Sequence, residues 1–252
     1  MLDHKGKVAI VTGGAQGIGR GITDVLAENG ATTCIADISK EHGNQAVMDL
    51  EAQGRKAIFI EADFSKSESS IRVVEECTNI LGRLDILVNN AGVSLGGNID
   101  NENFEDVWKA TFSVNLDAQM RLIRGCLSDL MRNQDGRIVN IASTEGLGGS
   151  ARISPYTASK HGVVGLTKAL AVELGPMGVT VNAVCPGPIH TGMTDYIPDE
   201  DKAEFARRRT ALKRFGNPEE VAHITLALVL PSASYITGAA IPVDGGLTAR
   251  NN

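Results

Sequence analysis

Seven short apolar runs alternating with stretches of helical length constrain this chain more than any other feature. The runs are KVAIV (7–11), ATTCIAD (31–37), KAIFIEAD (56–63), LDILVNN (84–90), RIVNIAS (137–143), VTVNAV (179–184) and AAIPV (239–243). Between most of them lie helix-length segments at 17–29, 39–53, 66–81, 103–132 and 155–174. Strands that are apolar along their whole length are buried on both faces, and helices between them cover those faces. The alternation predicts an α/β chain: a doubly wound parallel sheet of about seven strands with helices on both faces. No linker, low-complexity segment or internal repeat divides residues 1–252, so one domain is expected. The stretch 188–215 breaks the rhythm, being polar and containing Pro188 and Pro198. It follows a strand, where open α/β sheets build ligand sites, and is expected to be a substrate-binding loop or lid.

Composition narrows the function. The net charge of −6 argues against a nucleic-acid binder, which would carry a basic footprint. The one dense basic run, Arg207-Arg208-Arg209, is balanced by Asp199, Glu200, Asp201 and Glu204 nearby. Cys34, Cys77, Cys126 and Cys185 form no C-x-x-C and sit in or near apolar segments, which reads as buried free thiols in a reducing compartment. The five histidines have no metal-binding spacing, so no metal is expected. The N-terminal MLDHKGK has no signal-like apolar region, and no run is long enough to span a membrane. The cytoplasm is the expected location.

The first strand runs into Thr12-Gly13-Gly14-Ala15-Gln16-Gly17-Ile18-Gly19-Arg20. Glycines here let the backbone turn tightly and approach a phosphate, and the following helix offers free N–H groups. Gly14 and Gly19 have the spacing of a P-loop, but Arg20-Gly21 replaces its lysine and hydroxyl, which excludes that motif. The spacing T-G-x-x-x-G-x-G is instead a variant of the Rossmann-type dinucleotide loop. A glycine-rich turn that merely packs a helix on a strand is the competing reading.

Asp37 ends the second strand, 18 residues past Gly19. A carboxylate there accepts hydrogen bonds from ribose hydroxyls and repels a 2′-phosphate. Ala36 and Ile38 flank it, and position 16 is Gln rather than a cation. These residues predict NAD as cofactor rather than NADP. The alternative role for Asp37 is to cap the helix that begins near Ser39.

Tyr156 and Lys160 are one helical turn apart in SPYTASKHGVVG (154–165). A free tyrosine, with a pKa of about 10, is a poor base near neutrality. Residues i and i+4 share a helix face, so the lysine is expected to sit beside the phenol and lower its pKa. An amphipathic surface helix would carry the same pair without any such role.

Together these pieces resemble a classical short-chain dehydrogenase/reductase. The matching residues are TGGAQGIG (12–19), Asp63, NNAG (89–92), Asn115, Ser143, Y-x-x-x-K (156–160) and PGPIHT (186–191), in order across residues 7–246. The resemblance implies an oxidoreductase that moves a hydride between NAD(H) and a secondary alcohol or ketone, with Tyr156 as general acid/base. It implies that Ser143 holds the substrate oxygen, that Lys160 also holds the nicotinamide ribose, and that Asn115 holds a water in a proton relay. Gly13, Gln16, Gly17, Ile18 and Gly19 would then face the pyrophosphate, and Asp37 and Ile38 the adenosine ribose. Asp63 and Phe64 would face the adenine, and Asn90, Ala91 and Gly92 the ribose side. Pro186, Gly187, Ile189 and Thr191 would cover the nicotinamide amide.

The substrate is less legible. Segments 144–149, 93–95 and 190–211 are the expected walls, with Glu145, His190 and Arg152 as polar candidates that could equally face solvent. Among these, Glu145 and His190 join Ser143 and Tyr156 as the candidate substrate residues. The glycines at 146, 148 and 149 would leave room for a bulky or cyclic substrate. The resemblance implies a homotetramer, with helices 103–132 and 155–174 in one contact and Ala239–Leu247 in another. Two other functions compete. One is an NADPH-using 3-oxoacyl-carrier-protein-type ketoreductase, for which Arg121, Arg124, Arg132 and Arg137 could form a basic dock. The other is a non-catalytic NAD(H)-sensing regulator.

Overall fold

The computed structural model describes residues 4–250; Met1, Leu2 and Asp3 of the N-terminal stretch and Asn251 and Asn252 lie outside the described residues. Seven strands form one parallel sheet: β1 (Val8–Thr12), β2 (Thr32–Asp37), β3 (Ala57–Glu61), β4 (Ile86–Asn89), β5 (Arg137–Ile141), β6 (Thr180–Pro186) and β7 (Ala240–Val243). Their order is β3-β2-β1-β4-β5-β6-β7, parallel at every pairing. The order reverses beside β1, which lies between β2 and β4, and opens a crevice at the strands' C-terminal ends.

Both faces of the sheet are covered. α1 (Gly17–Glu28), α2 (Lys40–Ala52) and α8 (Pro218–Val229) pack on one face. α3 (Ser67–Leu81), α5 (Ala118–Met131) and α6 (Ser154–Leu174) pack on the other. β1 shows why its run is uniformly apolar: Val8 and Ile10 join one core and Ala9 and Val11 the other. All four cysteines are free and buried, three of them (Cys34, Cys77 and Cys126) in one core. Among the described residues no helix is long and apolar enough to cross a membrane, and no group of three or more His, Cys, Asp or Glu could hold a metal ion.

Two segments differ from the sequence expectation. The long helix at 103–132 is interrupted: α4 (Phe104–Phe112) runs into a π turn at Ser113–Asp117 before α5 begins. The stretch 188–215 is not a plain loop. It contains a 3-10 turn at Gly192–Thr194 and α7 (Asp199–Arg209). The balanced charges of α7 are sorted by its dipole, with Asp199, Glu200 and Asp201 in the first turn and Arg207, Arg208 and Arg209 in the last.

Candidate active site

The glycine loop and β4 are knitted together. Thr12 Oγ1 accepts the backbone N–H groups of Asn90 (2.9 Å) and Ala91 (3.0 Å). The Asn90 amide donates to the carbonyls of Thr12 (2.9 Å) and Gly13 (3.1 Å). This closeness requires glycine at two positions. A Cβ at Gly19 would lie 1.9 Å from the Gly13 carbonyl oxygen. Gly13 has φ +61°, and a Cβ there would lie 2.9 Å from the Asn90 amide nitrogen. The loop delivers the start of α1 to the crevice with no side-chain cap and no acidic residue in its first turn. Free N–H groups and the positive end of the dipole therefore face the cleft, as an anion would require.

At the end of β2, Asp37 accepts N–H groups from Ala15 (3.0 Å) and Ser39 (3.0 Å), one on each oxygen. The cap of α2 is Ser39, not Asp37, so the carboxylate stays on the cleft wall. Arg20, a cation from the glycine loop, is engaged by Asp24 (2.8 Å) and Asp49 (3.0 Å). Next along the wall, Asp63 accepts from the Ser65 N–H (3.0 Å) and hydroxyl (2.6 Å), and these bonds hold its carboxyl below the usual range.

The catalytic candidates meet at the opposite end. Ser143 caps a short 3-10 turn at Thr144–Gly146, its hydroxyl accepting the Glu145 N–H (3.1 Å), and its side chain is near enough to the Tyr156 phenol to favour the phenolate. Lys160 is almost fully buried; its ammonium donates to the Ile141 carbonyl (2.8 Å) and lies 5.6 Å from the Tyr156 ring centroid. Burial lowers the Lys160 pKa to about 8. Sequence reasoning expected Lys160 to make the phenol more acidic. In this structure enclosure of the phenol outweighs the influence of the Ser143 hydroxyl, the Glu145 charge adds to it, and the Tyr156 pKa is raised. The ammonium is over the ring, and it is itself weakened as a cation by desolvation.

Asn115 is fully buried in the π turn and clamps Val93 at both backbone groups. Its Oδ1 accepts the Val93 N–H (2.8 Å), and its Nδ2 donates to the Val93 carbonyl (2.9 Å) and the Ser159 hydroxyl (3.1 Å). Ser159 in turn donates to the Tyr156 carbonyl (2.7 Å). The Asn115 side chain is thus engaged by protein partners on both of its polar atoms. π turns recur at functional sites because the extra residue redirects a side chain.

One cleft of about 620 Å³ takes in every residue expected to bind the cofactor, from Asp37, Ile38, Asp63 and Phe64 through Gly13, Gln16, Gly17, Ile18 and Gly19 to Asn90, Ala91, Gly92, Tyr156, Lys160, Pro186, Gly187, Ile189 and Thr191. Three expected site residues lie outside its lining: Asn115, Glu145 and His190. For the two substrate candidates this is a correction. Glu145 is turned onto Ser150 and Thr157, and His190 is exposed and packs on Phe215 with ring centroids 5.3 Å apart. The lining also includes Ser65, Ala110, Val114 and Met193. Ala110 and Val114 are four apart on a helix, a spacing that reads as ordinary core packing in sequence.

A sequence model of a family described as enoyl-(acyl carrier protein) reductase matches residues 13–248. The 3-oxoacyl-(acyl-carrier-protein) reductase FabG of Thermotoga maritima is 39% identical over 243 residues, covering 96% of this chain and 98% of that protein. The chain belongs to the short-chain dehydrogenase/reductase family. It is an oxidoreductase. Meso-2,3-butanediol dehydrogenase of Serratia marcescens is 37% identical over 245 residues, covering 97% of this chain and 96% of that one. A short chain dehydrogenase from Burkholderia cenocepacia J2315, solved in complex with NADP, superposes with a TM-score of 0.91 at 36% identity over 97% of this chain and 98% of its own.

Proposed function

We propose that this short-chain dehydrogenase/reductase uses NAD(H) to interconvert an uncharged secondary alcohol and its ketone, with Tyr156 as general acid/base. The observation that carries the reading is one continuous cleft with Asp37 at one end and Ser143, Tyr156 and Lys160 at the other. The dinucleotide fits the residues present. Gly13 and Gly19 leave the space a Cβ would fill, and the start of α1 supplies N–H groups for a pyrophosphate. When bound, the nicotinamide supplies the hydride chemistry. The protein's part is the proton. The Ser143 hydroxyl holds the substrate oxygen, and the Tyr156 phenol gives that oxygen a proton in reduction and takes one in oxidation. Lys160, anchored on the Ile141 carbonyl, would hold a ribose hydroxyl of the cofactor.

Among the cleft's lining side chains the charged ones are Asp37, Asp63 and Lys160. Apart from Lys160, the cleft lining among the described residues holds no cation for a 2′-phosphate or for a substrate carboxylate. Val93, Leu95 and Met193 add apolar wall beside the chemistry, which favours an uncharged substrate. The stretch 188–215 would act as the lid, since Thr191, Gly192, Met193 and Thr194 line the cleft.

A second reading, an acyl-carrier-protein ketoreductase using NADPH, is favoured by the name of the Thermotoga relative and by the NADP bound to the Burkholderia structure. Of its basic dock, Arg121 faces Asp117 (3.8 Å), Arg132 pairs with Asp129 and Arg137 is buried against Asp135, which leaves Arg124 exposed on α5. The cytoplasm and a homotetramer complete the proposal. Trp108 stacks on Phe112 with centroids 4.5 Å apart on α4, and the edge strand β7 is only partly covered. The deciding experiment compares NAD⁺ and NADP⁺ reduction across secondary alcohols, polyols and hydroxysteroids, with Tyr156→Phe as the blank. Turnover with NAD⁺ that the variant lacks supports the proposal. Turnover with NADP⁺ alone, or retained by Tyr156→Phe, refutes it.

A further inference from the structure

We infer that Glu145 is a positioning residue that fixes Ser143 and Tyr156 relative to each other, a role that rests on Tyr156 acting as proposed above. Its backbone N–H donates to the Ser143 hydroxyl oxygen (3.1 Å). Its carboxylate accepts three hydrogen bonds: from the Ser150 N–H (3.0 Å), the Ser150 hydroxyl (2.6 Å) and the Thr157 hydroxyl (2.6 Å). Thr157 follows Tyr156 in the first turn of α6. One residue therefore ties the end of β5, the loop at 146–150 and the start of α6 together.

The local sequence gives this tether its purpose. Ser143 and Tyr156 are thirteen residues apart, on different elements, with Gly146, Gly148 and Gly149 between them. Glycines add backbone freedom that must be suppressed if the two hydroxyls are to meet one substrate oxygen. Gly146 itself is required, because a Cβ there would lie 2.7 Å from the Lys160 carbonyl oxygen. The loop thus cannot be stiffened by a larger residue at that point, and hydrogen bonds to an ionised carboxylate, stronger than neutral ones, hold it instead. The β4–α4 loop rests on the same unit, since the Gly97 N–H donates to the Arg152 carbonyl (2.7 Å). A solvated surface glutamate makes no such set of bonds, and a substrate-binding carboxylate would keep its oxygens toward the cleft.

Glu145 also brings a negative charge near the phenol, which raises the proton affinity of Tyr156. The other ionisable groups around it are Lys160 on the same helix and Cys185 on β6, which interacts with Lys160; Arg152, four residues earlier, is exposed.

Glu145→Gln and Thr157→Val separate the charge from the tether. Each protein is tested for kcat, KM and the pH dependence of both reaction directions. The Tyr156 phenolate is also titrated without substrate, by ultraviolet difference against the same protein carrying Tyr156→Phe. Glu145→Gln is expected to move the phenol titration and the limb of the oxidation profile to lower pH. Thr157→Val keeps the charge; it is expected to lower kcat about tenfold, with NAD⁺ affinity and the titration unchanged. Thr157→Ser, which restores the hydroxyl, is expected to recover most of that loss. An unmoved titration in Glu145→Gln, or wild-type kcat in Thr157→Val, overturns the inference, as does a lowered Tm with nothing else changed. Turnover that survives Tyr156→Phe would instead refute the role of Tyr156, whatever the Glu145 variants do.

Discussion

The Lys160 ammonium lies over the Tyr156 ring, 5.6 Å from its centroid, and spends one of its hydrogen bonds on the Ile141 carbonyl. Enclosure then dominates the phenol's acidity, and its pKa is raised. The protonated phenol suits proton donation to a ketone; the base form needs alkaline conditions. Reduction is therefore expected to proceed at neutral pH and oxidation to rise towards high pH. Paired pH–rate profiles of kcat/KM check this, and an oxidation optimum below the reduction optimum would contradict it.

Asp37 holds the N–H groups of Ala15 and Ser39 and faces the cleft, whose lining among the described residues has Lys160 as its one cationic side chain. Replacing Asp37 by Ser and Ile38 by Arg is expected to reverse the proposed preference for NAD⁺ over NADP⁺. Loss of the ribose hydrogen bonds should reduce kcat/KM with NAD⁺ by about 10- to 100-fold, from roughly 1.5–3 kcal/mol for bonds to a charged group. Initial rates with each cofactor measure the change.

The Asn115 clamp on Val93 links the π turn to the cleft wall and, through Ser159, to the backbone of Tyr156. Asn115→Ala leaves the two Val93 backbone groups and Ser159 short of partners. The expected loss is about 2–4 kcal/mol of stability, by the cost of unsatisfied buried polar groups. Urea unfolding gives the stability and steady-state rates the accompanying fall in kcat. Asn115→Asp is expected to do little better, because it cannot donate to the Val93 carbonyl.

Lys160 trades stability for chemistry. Burial lowers its pKa from 10.5 to about 8. As pH falls from above 10 towards 8, the unfolded chain gains this proton before the folded one does, so stability is lost over that window and stays lost at neutral pH. Lys160→Met is expected to abolish turnover while raising Tm at pH 7 by about 3 °C. Thermal melts at pH 7 and pH 10 should show the gain shrinking at the higher pH.

Glu220 secures the base of the β6 loop. It accepts from the Asn217 N–H (2.9 Å) in the α8 cap and from both terminal nitrogens of Arg214 (2.7 Å each), next to Gly216, which bonds Pro188 and His190. The Arg214 bond and the cap lower its pKa to about 2. Its contribution is complete above the ordinary value of 4.5 and is lost as pH falls from there through about 2. Glu220→Gln is expected to lower Tm modestly at pH 7, with the difference from wild type vanishing towards pH 2. Melts across that range decide it.

What the sequence determined by itself was whatever depends on local pattern. Uniformly apolar runs reported strands buried on both faces. The glycine spacing reported a backbone that must pass within contact of Asn90, and the residues expected to bind the cofactor all line one cleft. α8 was not among the expected helices, although Asn217-Pro218 with Glu220 at the third helical position marks its start locally. Tertiary structure alone decided the rest. The π turn at Ser113–Asp117 has no marker in the chain, because it is stabilised by Asn115 reaching Val93, 22 residues away. Glu145 and His190 looked equally able to enter the pocket. Their directions were set by which donors the folded chain brought near, Ser150 and Thr157 for one and the Phe215 ring for the other. The acidity of Tyr156 was decided the same way: a four-residue spacing puts a lysine on the phenol's side of a helix, but how much water is removed from both groups depends on the surrounding sheet and loops.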